Sequence, residues 1–207
     1  MTEQAADAAI VAAAKTLALP TIRAEAGRLA DMAARERLTH RGFLAEVLSA
    51  EVDERDTRRR ARRVHDARFP RTKHLAAFDT AANPSVADAT IATLAAGTWI
   101  DTGQPVVFLG DSGTGKTHLL IGTGLAACEA GRRVRYATCA ALVNELVEAA
   151  DEQRLSRLVG RYARLDLLCL DVSVQVAAGA GGIQGSSSKR RMSASMAGMS
   201  CLRVVER

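Results

Sequence analysis

The sequence predicts an α/β protein: an incomplete parallel-sheet core preceded by a small all-α N-terminal domain. Three observations predict it. Short apolar runs alternate with helical stretches between residues 106 and 171, the order that builds a parallel sheet through crossover helices. A glycine-rich turn lies between the first apolar run and the helix after it. Residues 1–67 are dominated by Ala, Leu, Arg and Glu, with Pro20 as their one proline, which favours helix throughout.

Composition narrows the class. The chain has 207 residues, 48% hydrophobic and 25% charged, close to the averages for globular domains. No run of 18 apolar residues occurs, so no membrane span is expected. Aromatics at 3% argue against a base-stacking platform. Cys128, Cys139, Cys169 and Cys201 form no CxxC pair, so neither a zinc site nor a disulfide framework is expected. The N-terminus carries early acids and lacks a basic leader. Together these features predict a reducing, cytoplasmic location.

Taken in order, Leu17 and Leu19 close a first helix before Pro20. Thr21 is the expected N-cap of a second, running to about Arg37. Thr39 caps a third. Phe43/Val47 and Leu44/Leu48 are apolar pairs four apart, and Val52 continues the stripe. The third helix then becomes basic. Residues 69–84 hold two prolines and read as a linker. Ser85 with Asp88 resembles a capping box for a helix ending at Gly97. The run VVFLG (106–110) is expected as a buried strand, and 115–130 as a helix stopped by Gly131. A second strand is expected over 133–138, helices over 140–150 and 154–161, and a third strand over 165–171, lying beside the first. This gives a helical N-terminal domain (1–68), a linker and entry helix (69–98), a partial core (99–172) and a low-complexity tail (173–207), disordered by composition.

The chemistry sits in the glycine-rich turn. Gly110, Asp111, Ser112, Gly113, Thr114, Gly115, Lys116 and Thr117 fit G-x-x-x-x-G-K-[ST] at every fixed position. Glycines let the backbone curl so that N–H groups face phosphate oxygens. The following helix aims its N-terminus at the same anion. Lys116 supplies a cation to the terminal phosphates, and Thr117 a hydroxyl to Mg²⁺. LDLLCLD ends in Asp171, which is placed to hold Mg²⁺ or to accept from Thr117. Asp166, at the other end of that run, is the weaker metal candidate. His118 is expected to lie against its helix, His65 and His74 to face solvent, and Trp99 to sit at the domain's edge. Residues 101–104 could border an adenine pocket.

No catalytic residue is assigned. A Glu commonly follows the strand-end Asp to polarise water, but position 172 is Val, and no acid follows until Glu206. No polar sensor strand or arginine-finger segment is recognisable. Nucleotide binding follows from the sequence; hydrolysis does not.

The net charge is +5. Residues 173–207 contribute +4 of it, so the total says little about partners. A second basic focus is hidden by acids elsewhere. Between residues 55 and 73 nine basic residues stand against two acids. Arg55, Arg58, Arg59, Arg60, Arg62, Arg63, Arg71 and Lys73 are the candidate DNA contacts. Five of the six residues 58–63 are Arg, too dense for alternating ion pairs.

The chain resembles the IstB-like family of ATP-binding proteins, the helper ATPases of bacterial insertion sequences. These are similar to the DnaC-type helicase loaders of the AAA+ class. The resemblance covers about residues 15–171. It rests on LPTIRAEAGRLADMAARERLTHRGFLAEVLSAEVDERDTRRRARRVHDARFPRTKHLAAFD, on GDSGTGKTHLLIGTGLAACEAGRRVRYATCAALVNEL and on RLDLLCLD. It implies a P-loop NTPase core binding ATP and Mg²⁺, assembly on DNA as a homo-oligomer if the core folds, and regulation of a partner transposase. Residues 110–117 would bind the phosphates and Asp171 the Mg²⁺. The family continues after the Asp with Glu and a Gly-Tyr-like turn, whereas residues 172–207 match none of it. A truncated or frameshifted element is the expected cause. The alternatives are a DnaC-like loader acting on a replicative helicase, and a DNA-binding fragment that works without ATP.

Overall fold

The structure is a computed structural model and describes residues 2–172. The tail reading, Cys201 and the other features of 173–207 lie outside the described residues. The chain divides into two compact units, Met1–Arg62 and Arg63–Arg207.

The first unit is helical. It holds α1 (Glu3–Thr16), α2 (Pro20–Arg35) and α3 (His40–Ala67) as far as Arg62. Ala14, Leu29, Ala33 and Val47 are its buried apolar residues. Thr39 caps α3 as expected, its hydroxyl accepting from Gly42 N–H at 3.1 Å. Two expectations fail. Thr21 is not the N-cap of α2. Pro20 takes the first helical position, where its missing N–H costs nothing. The cap comes instead from Glu51 on α3, whose Oε2 accepts from Thr21 N–H at 2.8 Å and Ile22 N–H at 3.0 Å. The Leu44–Leu48–Val52 stripe is exposed, and the inward face of α3 carries Val47 and Glu51. Two apolar stripes lay side by side in the sequence, and only one could turn inward.

The second unit is built around α6 (Lys116–Glu129). Leu119, Ile121, Leu125 and Cys128 of this helix are all buried. It lies against a two-stranded parallel sheet, β1 (Val134–Thr138) with β2 (Leu167–Asp171), in the register Tyr136↔Cys169 and Thr138↔Asp171. Between the strands run α7 (Cys139–Asp151) and α8 (Leu155–Tyr162). Thr138 caps α7, accepting from Ala141 N–H at 3.1 Å. Ahead of α6 lie a single 3-10 turn (Leu75–Ala77), α4 (Asp88–Ala96) and α5 (Thr98–Asp101). Ser85 does not cap α4. Ala87 stands at the N-cap, and Asp88 enters the first turn, where its carboxylate meets the helix dipole.

The run 106–110 is not a strand. Its inward residues Val106 and Phe108 rest on the cluster of Leu75, Phe78, Leu94 and Leu119, while Val107 and Leu109 are exposed. Burial alternates as in a strand, yet a strand needs a hydrogen-bonded neighbour. The hydrogen-bonded neighbour of β2 is β1, with Thr138 opposite Asp171, while Val106 and Phe108 line a cavity together with Leu167, Leu168 and Cys169 of the β2 segment. The described sheet therefore has two strands, where the sequence predicted three.

Candidate nucleotide-binding site

The loop 110–117 joins the 106–110 run to α6. Gly113 and Gly115 have φ of +85° and +84°, a region that disfavours side chains. Gly115 carries a second demand: a Cβ there would lie 2.7 Å from Phe78 Cε2. The loop folds on its own backbone. Thr114 Oγ1 donates to the Asp111 carbonyl at 2.8 Å, and Lys116 Nζ donates to the same oxygen at 2.6 Å. Asp111 and Ser112 are exposed. Lys116 opens α6, so the loop runs into the N-terminus of that helix, the end whose dipole favours an anion. A phosphate oxygen offers Lys116 a charged acceptor in place of a neutral carbonyl, and charge-assisted bonds are the stronger kind.

Asp171 ends β2 and is buried. Its Oδ2 accepts from Thr117 Oγ1 at 3.1 Å and from Tyr136 Oη at 2.8 Å. The two residues that the sequence linked, Thr117 and Asp171, thus meet. Tyr136 was missed. Strand alternation placed its side chain on a face, but nothing local paired it with a carboxylate 35 residues on. Burial, and after it the bond to Asp171, push the phenol's pKa above its ordinary value. Asp166, at the far end of the strand, is committed elsewhere. It accepts from Arg133 N–H at 2.7 Å and pairs with the Arg133 guanidinium at 3.2 Å. The Arg133 backbone bond, then its side-chain bonds, hold this carboxyl below its ordinary value.

Thr117 and Asp171 present an alcohol and a carboxylate, the hard oxygen donors that suit Mg²⁺. Among the described residues no group of three His, Cys, Asp or Glu side chains could hold a metal.

The flank of the loop is formed by the 74–78 segment. His118 Nε2 lies 2.9 Å from the His74 carbonyl, and its ring meets Phe78 edge-on at 5.5 Å. His65 and His74 are exposed. Trp99 lines two open cavities of the second unit. It is buried, because α5 turns its indole inward. Asp101 pairs with Arg132 at 2.6 Å. Cys128 and Cys169 are buried free thiols, raised by burial to about 11 and about 12.

The basic run is less uniform than its composition suggests. Arg55 donates to the Ala18 carbonyl and faces Glu51. Arg58 pairs with Glu54 at 2.9 Å and Arg59 with Asp56 at 3.2 Å. The expectation that the run is too dense for helical ion pairs fails for these residues, because acids three or four positions upstream come within reach. Arg60, Arg62, Arg63, Arg71 and Lys73 make no salt bridge among the described residues. No described helix is long and apolar enough to cross a membrane.

Comparison with known proteins bears on the same residues. The family described as IstB-like ATP binding protein matches residues 12–175. An insertion sequence ATP-binding protein of Sinorhizobium fredii is 35% identical over 75% of this chain and 52% of its own length. The insertion sequence IS21 ATP-binding protein of Pseudomonas aeruginosa is 34% identical over 69% of this chain and 54% of its own. The insertion sequence IS5376 ATP-binding protein of Geobacillus stearothermophilus is 30% identical over 75% and 62%. The chain spans about half to three-fifths of the length of these relatives. With its P-loop ahead of a buried helix and its strand-end aspartate on the P-loop threonine, the chain belongs to the IstB-like ATP binding protein family, whose fold is that of the P-loop NTPases.

Proposed function

We propose that this protein is an ATP-binding helper of DNA transposition. Residues 110–117 take the nucleotide phosphates, while Thr117 and Asp171 hold Mg²⁺. The observation that carries the reading is the Thr117–Asp171 hydrogen bond of 3.1 Å. It joins the P-loop helix to the end of a strand 54 residues away, the juxtaposition that a bound Mg²⁺–phosphate group needs. The insertion-sequence names of the relatives support the transposition context. The guanidinium groups of Arg60, Arg62 and Arg63, which make no salt bridge among the described residues, support phosphate contact with DNA. A partner transposase, a cytoplasmic location and self-assembly complete the proposal. Val172 follows Asp171, so no carboxylate stands there to polarise water, and turnover is expected to be weak or absent.

The test is binding of a fluorescent ATP analogue to wild type and to Lys116→Ala. Loss of a charge-assisted contact should weaken binding about 10- to 100-fold. Equal affinities would overturn the nucleotide reading.

A further inference from the structure

We propose that Tyr136 is a positioning residue for the metal-side carboxylate, fixing through its hydroxyl which oxygen of Asp171 is tied down and which way the carboxylate faces. The inference rests on the nucleotide reading above.

Two hydroxyls donate to one oxygen, Asp171 Oδ2: Thr117 at 3.1 Å from the P-loop helix and Tyr136 at 2.8 Å from β1. They are not equivalent. The Thr117 oxygen is the one expected to face Mg²⁺. Tyr136 belongs to the sheet and has no phosphate or metal to serve, so its bond to Asp171 is free to persist through ligand binding. The register explains the reach. Tyr136 pairs with Cys169, which puts Asp171 at the diagonal position two residues on, a distance that an aromatic side chain spans.

The phenol has little freedom. Tyr136 is 8% exposed, and its ring lies tilted against Phe69, with centroids 6.1 Å apart. A carboxylate rotates about a broad, nearly two-fold torsion that exchanges its oxygens. Two donors on one oxygen remove that degeneracy. If Asp171 turned away, the buried phenol would lose its acceptor, and a buried donor without a partner is costly. The hydroxyl therefore penalises every other orientation of the carboxylate. A tyrosine hydroxyl is ordinarily protonated at neutral pH, and so a donor.

The test uses the full chain. The Mg²⁺ concentration at half-effect on binding of the fluorescent ATP analogue is compared between wild type and Tyr136→Phe, which keeps the ring on Phe69. Residues that orient a metal's ligands commonly change metal affinity about 10- to 100-fold. A rise of about tenfold is expected here, with metal-free affinity unchanged. An unmoved Mg²⁺ midpoint in a variant that still binds ATP overturns the assignment and leaves the nucleotide reading standing. A second measurement needs no substitution at Tyr136. The chain has only 2 tyrosines, Tyr136 and Tyr162, so 3-fluorotyrosine labelling gives two resonances, assigned with Tyr162→Phe. Mg²⁺ added to the ATP-bound protein should move the Tyr136 resonance. If that resonance is indifferent to Mg²⁺, the proposal fails even where Tyr136→Phe does not fold. A wild-type chain that binds no ATP overturns the nucleotide reading and this inference with it.

Discussion

Among the described residues each unit buries one carboxylate that accepts two hydrogen bonds on a single oxygen, and the two differ in the donors they hold. Glu51 in the first unit is 4% exposed, and its Oε2 accepts from the backbone N–H groups of Thr21 and Ile22. Asp171 in the second is 8% exposed, and its Oδ2 accepts from the hydroxyls of Thr117 and Tyr136. The donors decide the role. Backbone N–H groups at a helix start have one job and no lone pair to offer, so Glu51 is a tertiary N-cap. Hydroxyls both donate and accept, so the Thr117 oxygen can face a cation while its proton stays with Asp171. Burial of a carboxylate is thus no mark of a site by itself. The chemistry of its partners is.

The largest effect that would break this contrast is at Glu51. Glu51→Ala leaves the first turn of α2 without its acceptor and should destabilise the first unit by about 2 kcal/mol. Urea unfolding and hydrogen exchange at the Thr21 and Ile22 amides would read the loss. Affinity for the ATP analogue should not change. If ATP binding fell with stability, Glu51 would be more than a cap and the contrast would collapse.

The same contrast shows what sequence alone could reveal. Residues 110–117 were legible because the motif dictates its own geometry: the positive φ of Gly113 and Gly115 and the lysine at the helix start are local properties. Thr39 was legible for the same reason, since its acceptor is three residues from its donor. Glu51 was not, because its donors lie 29 and 30 residues away and a propensity reading offered the nearer Thr21 instead. Tyr136 escaped for a like reason, as strand alternation names a face but not the residue opposite. The 106–110 run shows the reverse failure. Its apolar pattern is that of a strand, and the pattern cannot supply the neighbour that would make it one.

A smaller effect sharpens the reading of the first unit's long helix. Glu51 also faces Arg55 at 3.7 Å, which ties that arginine into the fold along with its bond to Ala18. Charge density therefore overstates the cations available to a polyanion. Replacing Arg60, Arg62 and Arg63 with Ala should reduce the slope of log DNA affinity against log salt by about one per lost phosphate contact. Replacing Arg55, Arg58 and Arg59 should reduce it less, since their guanidinium groups already serve carboxylates or a carbonyl. Equal slope changes for the two triple variants would show that the helix presents a diffuse charge and that its ion pairs do not matter to DNA.

The smallest effect lies at the other end of β2. Asp166 shares a strand with Asp171, yet its donors are the Arg133 backbone N–H and guanidinium, so by its partners it belongs with Glu51. Its pKa is lowered from the ordinary 3.8, the Arg133 backbone bond being the main cause. A depressed carboxyl contributes stability above its unfolded pKa and loses it as pH falls through the folded one. The second unit should therefore lose a small increment of stability as the pH drops below about 5. Asp166→Asn should remove that part of the pH dependence. A third of the side chain is open to solvent, so screening keeps the increment under about 1 kcal/mol. Thermal unfolding of the two proteins between neutral and acid pH would show it as converging midpoints, while affinity for the ATP analogue stays equal. Weakened nucleotide binding in Asp166→Asn would mean that the two ends of β2 are coupled, and that partner chemistry alone does not separate a fold carboxylate from a site carboxylate.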